Sequence, residues 1–373
     1  MVFSRLEVGG AEKIALDLIP TLKRREVETF VAGVYGGGSM RDAFAAEALA
    51  VHDGLAANRL DVRGVWRVRR LIRRHRIDAV LVVDAVRNAM LCGLLGAAFS
   101  GRPVARVLWC HACPGHGRRG GRMQGFAGRL RRLAGLIDVI VPVARWQRDA
   151  LARCGVPRTR MCVIENGIAL DRCRSDIAPA DARARLNLPR DAFLLLQVAN
   201  YWPEKDPTWL LEAMARVRST HPRVHLVMVG RGMDAGRFQG TVESLGLRGA
   251  VTLAGARRDV NVFLRAADAF VLASAHETLS IATLEAMACG LPVIVSDIPG
   301  FRDLVVDSVS GLKCPPLDSA ALADRIRRLA DDEALALRLS QGARARAERY
   351  DVDRMAARFA RLLRAAARAA GGR

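Results

Sequence analysis

Long apolar runs are missing from this chain. None reaches the roughly 20 residues of a membrane-spanning helix; the longest, 89–99, falls short and contains glycines. The first ten residues, Met1–Gly10, lack the basic-then-apolar order of a signal peptide. Both absences predict a soluble, cytoplasmic protein. A disulfide framework is missing too: the eight cysteines are scattered through 373 residues. Cys110-His111-Ala112-Cys113, with His116 beyond, is the one close pair. A structural zinc site needs about four ligands, and no second Cys/His pair supplies them. Pro114 stands where haem attachment needs a histidine, which leaves buried or idle thiols as the better reading. Aromatics make up only 5% of residues, too few to interleave with basic residues as in single-strand nucleic-acid binders. There is no internal repeat and almost no lysine: only Lys13, Lys23, Lys205 and Lys313.

What is present is arginine and aliphatic side chains. The net charge is +20, and 51% of residues are hydrophobic. That is enough apolar content for two cores. Short apolar runs alternate with amphipathic stretches. Strands are predicted at 28–34, 79–83, 104–109, 138–143, 193–199, 224–229, 251–254, 269–273 and 292–296. Helices are predicted at 13–22, 62–74, 88–99, 145–153, 207–218, 283–288 and 319–330. Continuous apolar strands separated by helices make parallel sheets covered on both faces, a doubly wound α/β architecture. Two sheets fit this length better than one. The polar stretch 171–189, with Pro179 and Pro189, marks the break. The expected division is 1–178, 179–350, and a C-terminal helix, 351–373, returning to the first domain. Gly9-Gly10 reads as a strand-to-helix turn with only Val2 and Phe3 left to form the strand before it. Strands usually run five or six residues, so a truncated first strand is expected.

The chemistry-bearing string is Ser274-Ala-His-Glu-Thr-Leu-Ser-Ile-Ala-Thr-Leu-Glu-Ala-Met-Ala-Cys-Gly-Leu-Pro292. A buried strand runs into a short loop, and the loop opens a helix with Ser280 at its N-cap position. Loops at the carboxyl ends of parallel strands are where such sheets bind ligands. A helix N-terminus there offers N–H groups and a positive dipole end to a diphosphate. Glu277 in the loop and Glu285 in the helix are acceptors suited to sugar or ribose hydroxyls. Either alone also fits local capping or solvation.

The string resembles the Glu, seven residues, Glu-Ala-Met-Ala-x-Gly-x-Pro-Val signature of glycosyltransferase family 4. The resemblance extends through Ser296-Asp-Ile-Pro-Gly300 and Gly311-Leu312, with Gly9-Gly10-Ala11-Glu12 in front and Asn166-Gly167-Ile168 mid-chain. It implies a GT-B fold, two Rossmann-like domains facing a cleft. It also implies transfer of a sugar from a UDP- or GDP-linked donor to a saccharide or lipid-linked acceptor, with retention and without a metal or other cofactor. Residue by residue, Glu277 would contact the transferred sugar and Glu285 the ribose. The backbone N–H groups of Leu279, Ser280 and Ile281 would face the diphosphate. Lys205 matches the family's diphosphate lysine. Asn200 stands at the accompanying arginine position, with Arg231 as a substitute charge, and Thr278 stands where glycine is common. Gly10 would approach the donor phosphate and Gly9 the acceptor. His111 would lie near the reacting sugar, with His116 its rival on the acceptor side. Cell-envelope or exopolysaccharide assembly is the implied setting.

Residues 62–76 carry seven arginines around a stripe of Val65, Val68, Leu71 and Ile72, and 118–132 is a second basic stretch. Both fit an anionic membrane surface or lipid-linked acceptor, and both also fit ordinary solvated surface. Two other functions compete: a nucleotide-sugar epimerase of the same fold, and a nucleic-acid binder, suggested by charge alone and not expected.

Overall fold

The computed structural model describes residues 1–83, 87–111, 128, 130–173 and 177–372. The chain divides into two compact units, Met1–Ile168 with Asp351–Arg373, and Ala169–Tyr350.

The first unit contains β1 (Val2–Phe3), β2 (Phe30–Gly33), β3 (Ala50–His52), β4 (Ala79–Val83), β5 (Ala105–Cys110) and β6 (Val139–Pro142). They form one sheet in the order β3-β2-β1-β4-β5-β6, every neighbouring pair parallel. β1 has only two residues, yet it sits at the centre and pairs with both β2 and β4. The second unit contains β7 (Phe193–Val198), β8 (Val224–Val229), β9 (Val251–Gly255), β10 (Ala269–Leu272), β11 (Val293–Ser296) and β12 (Leu312–Cys314). Its order is β12-β11-β10-β7-β8-β9, again all parallel. The two sheets therefore share one winding. Each starts at a central strand, runs two strands to one edge, then crosses back and runs three to the other.

Burial explains the composition of these strands. All six residues of β8 and all four of β10 and β11 are buried, as strands covered by helices on both faces must be. The sequence expectation of doubly wound α/β units is met. Three features differ from that reading. Edge strands β3 and β12 were not expected; each has three residues, too few to show a pattern. Helices at Arg41–Glu47, Pro179–Arg185, Ala235–Ser244, Val260–Ala266 and Glu333–Ala347 were also missed; in the first, second and last of these, alanine and arginine blur the apolar stripe. The stretch expected as a break is folded where it is described. Arg183 in helix Pro179–Arg185 pairs with Asp268 at 2.7 Å and donates to the Ala266 carbonyl, so this segment is part of the second unit.

The C-terminal helix, Val352–Gly371, belongs to the first unit. Asp351 caps it, accepting from Asp353 N–H at 2.7 Å. It buries Met355, Ala356, Phe359 and Ala360. Phe359 meets the buried Trp109 of β5 edge-on, with ring centroids 4.8 Å apart. Gly167 permits this return: a Cβ there would press on the Asp351 carbonyl. Val352 N–H donates to Ile168 O at 3.0 Å.

Candidate active site

In the second sheet the winding reverses between β7 and β10, which are direct neighbours. The chain leaves β7 toward β8 on one side and leaves β10 toward β11 on the other. The loops at their carboxyl ends therefore diverge and open a crevice, the usual ligand site of such sheets.

Both loops bring functional side chains. After β7 the chain runs Ala199-Asn200-Tyr201-Trp202 into a short turn, Pro203–Lys205. After β10 it runs through Ser274 and Glu277 to Ser280, which starts helix Ile281–Ala288. Ala275 N–H donates to Glu204 O at 2.9 Å, tying one loop to the other. Lys205 Nζ lies 2.8 Å from Glu277 Oε1, with the Lys205 side chain 27% and the Glu277 side chain 7% exposed. Ser274, fully buried, donates weakly to the same carboxylate oxygen at 3.5 Å. A carboxylate this enclosed is costly unless paired, and Lys205 supplies the pair. On its other side, a side chain on Gly300 would overlap the Glu277 carbonyl oxygen. Sequence reading named neither Ser274 nor Gly300 as site residues. Both lie inside the strings that carry the family resemblance, Ser274 at the head of one and Gly300 at the end of the other.

Ser280 is the N-cap of the next helix. Its hydroxyl accepts from Thr283 N–H at 3.2 Å and from the Thr283 hydroxyl at 3.0 Å. The earlier N–H groups, from Leu279 to Ile281, have no intrahelical carbonyl to reach. They carry the positive end of the helix dipole at the mouth of the crevice. Glu285 sits one turn further in and is buried.

Asn200, at the position where an arginine was expected, serves the backbone. Its Oδ1 accepts Arg231 N–H at 3.0 Å, and Tyr201 N–H donates to Arg231 O at 2.8 Å. These bonds fasten the loops after β7 and β8 together. Gly230 allows the approach: its φ is +143° and a Cβ would run into the Ala199 carbonyl. Arg231 is exposed. The Lys205–Glu277 pair, the Ser280 cap, Glu285 and the Asn200–Arg231 clasp thus all sit at the carboxyl edge of one sheet.

The remaining candidates lie in the first unit. Gly9 is the N-cap residue and Gly10 the first residue of helix Gly10–Lys23, which follows β1. His111 follows β5. Its ring lies against Trp109, centroids 4.4 Å apart, and its Nδ1 is 3.4 Å from Asn166 Nδ2. Burial pushes the imidazole down to about 3, so it is neutral at ordinary pH. Among the described residues its Nε2, the Trp109 Nε1 and the Asn166 Oδ1 have no hydrogen-bond partner. Sequence reading did not assign Trp109 or Asn166 to this cluster. His116, Cys113 and residues 118–127 and 129 of the basic stretch lie outside the described residues. Among the described residues no group of three or more His, Cys, Asp or Glu is placed to hold a metal ion. None of the described helices is long and apolar enough to cross a membrane.

Comparison with known proteins agrees with this architecture. The profile described as "Glycosyl transferases group 1" matches residues 180–346, and that of "Glycosyltransferase Family 4" matches 8–172. The lipopolysaccharide core biosynthesis glycosyltransferase LpsD of Rhizobium meliloti is 27% identical over 90% of this chain and 88% of its own length. A D-inositol 3-phosphate glycosyltransferase of Streptomyces bingchenggensis is 31% identical over 61% of this chain. That match spans only about half of the relative, 52% of its length. The crystal structure of Anabaena Alr3699/HepE in complex with UDP-glucose superposes with a TM-score of 0.84. It covers 97% of this chain and 98% of the other at 22% identity, which shows a shared GT-B fold. With one profile on each unit and two sheets wound alike, the chain belongs to glycosyltransferase family 4.

Proposed function

We propose that the protein transfers a sugar from a UDP- or GDP-sugar to a saccharide or lipid-linked acceptor in cell-envelope or exopolysaccharide assembly. The observation that carries this reading is the convergence of Lys205, Glu277 and the capped start of helix Ile281–Ala288 at the β7/β10 crevice. Departure of a nucleoside diphosphate puts negative charge on phosphate and positive charge on the sugar ring. Lys205 and the N–H groups of Leu279, Ser280 and Ile281 stabilise the phosphate charge. Glu277 orients the sugar hydroxyls and Glu285 holds the ribose. With Asn200 committed to the backbone, Arg231 is the nearby residue able to supply a second positive charge. In the first unit Gly9 and Gly10 allow close approach to the acceptor and donor phosphate, and neutral His111 serves as a hydrogen-bonding group for the reacting sugar. The reaction proceeds with retention at the anomeric carbon and without a metal, its charge stabilisation coming from the protein. The protein works at the periphery of an anionic membrane; a family relative is an LPS core enzyme, and the net charge is +20.

Incubation with radiolabelled UDP- and GDP-sugars tests the reading. Transfer to an acceptor, or slow release of free sugar with its anomeric configuration retained, supports it. An isomerised sugar without transfer would establish the epimerase alternative. No turnover of any donor, together with tight nucleic-acid binding, would overturn both.

A further inference from the structure

Helix Arg63–Arg74 has no acidic residue and two faces. Gly64, Val68 and Ile72 are buried, and Val65 and Leu71 pack against the same core. The outer face does not carry charge alone. Val62, Trp66, Arg69 and Arg73 recur at steps of four, three and four, which places them on one stripe. Val62 is 71% exposed, Trp66 56%, and Leu60, just before the helix, 89%. Phe99, 55% exposed, comes from the end of the neighbouring helix Arg87–Ala98. It stacks on Trp66 with centroids 6.4 Å apart and planes 19° from parallel. Arg69 holds this pair in place: its Nε donates to Phe99 O at 2.7 Å and its guanidinium lies 5.5 Å over the Trp66 ring. Arg70, Arg73 and Arg74 line the same open depression as Trp66 and Arg69.

We propose that this surface is a membrane-docking face for anionic lipid, with Trp66 and Phe99 as an interfacial anchor and Arg69, Arg70, Arg73 and Arg74 as the headgroup contacts. The proposal deepens the peripheral-membrane reading above and rests on it. A solvated arginine face does not explain four exposed apolar side chains beside it. An apolar protein-binding patch does not explain four arginines without a carboxylate in the helix. A bilayer interface satisfies both. Phosphate headgroups neutralise guanidinium groups, and indole and phenyl rings partition at headgroup depth. The two anchor rings are already held by the Arg69 contacts, so little of their freedom is lost on docking.

Co-sedimentation of the full chain with vesicles tests it, using phosphatidylethanolamine mixed with phosphatidylglycerol against phosphatidylcholine alone. The parent is expected to bind the anionic vesicles and not the neutral ones. Trp66→Ala with Phe99→Ala should weaken binding about tenfold and remove the fraction that survives added salt. Arg70→Ala with Arg73→Ala should weaken it about thirtyfold at low salt. Unchanged far-UV circular dichroism, melting temperature and nucleotide affinity in both variants would show that the fold is intact. If the parent ignores anionic vesicles, the peripheral reading itself fails. If the parent binds and both double variants bind equally well, the membrane reading stands and the assignment of this face is overturned. Preferential binding of duplex DNA that depends on Trp66 and Phe99 would overturn it in favour of a nucleic-acid surface.

Discussion

At the scale of single residues, the Lys205–Glu277 pair defines the site. Its two members come from different loops and meet at 2.8 Å. Lys205→Ala leaves an enclosed carboxylate without its cation, and stability should fall by about 1–3 kcal/mol. Adding Glu277→Gln should restore part of that loss, because the uncompensated charge is gone. Urea unfolding of the parent, both single variants and the double variant measures the coupling. Losses in the two single variants that simply add in the double variant would show that the pair does not matter to the fold. His111 makes a pH prediction. Burial lowers its pKa to about 3 from an ordinary value near 6.5. Between those values the unfolded chain holds a proton that the folded chain does not, so stability rises with pH across this window. The contribution is complete above about 6.5 and is lost as pH falls toward 3. His111→Gln should flatten the acid side of the melting-temperature profile in that range. A parallel profile would place the acid sensitivity elsewhere. Residue-level reading of the sequence named Glu277 and Glu285, because their spacing is carried by one loop and one helix, and reached Lys205, on another loop, through the family resemblance. It did not find what Asn200 does, since its bond to Arg231 N–H depends on two strands being adjacent.

At the scale of elements, helix Ile281–Ala288 has only eight residues, so its start depends on its cap. Ser280→Ala removes the acceptor for Thr283 N–H and should cost about 1 kcal/mol. Thermal unfolding reads this directly. Gly300 tests the loop from its other side. Gly300→Ala would force a methyl group against the Glu277 carbonyl, so the Glu277 loop must move. Loss of sugar transfer with a native circular dichroism spectrum is expected, and full activity would show that the loop position is not critical. Elements were legible where burial left continuous Val, Leu and Ile runs, as in β4, β7 and β8. They were not legible in β3 and β12, which lean on one neighbour and have three residues each. The Arg/Ala-rich helices hid for a different reason. Alanine suits both faces of a helix, so little periodicity survives.

At the scale of the molecule, the same six-strand winding occurs in each unit, and the candidate donor groups other than Gly10 stand around the reversal point of the second. The fold class was readable because alternation of buried strands and helices is a global pattern that tolerates local error. The site was readable only in part. Most of its candidate ligand groups lie in 277–285, while the positions that hold them, Ser274, Asn200, Gly230 and Gly300, gain meaning only from strand order. The central claim is that the β7/β10 crevice binds the nucleotide diphosphate. Calorimetric titration of UDP and GDP into the full chain, and into Lys205→Ala and Glu285→Ala variants, tests it most directly. The account predicts that the parent binds one of the two nucleotides and that each variant binds it roughly tenfold or more weakly. Equal affinity in all three proteins, or no binding of either nucleotide to the parent, would contradict it.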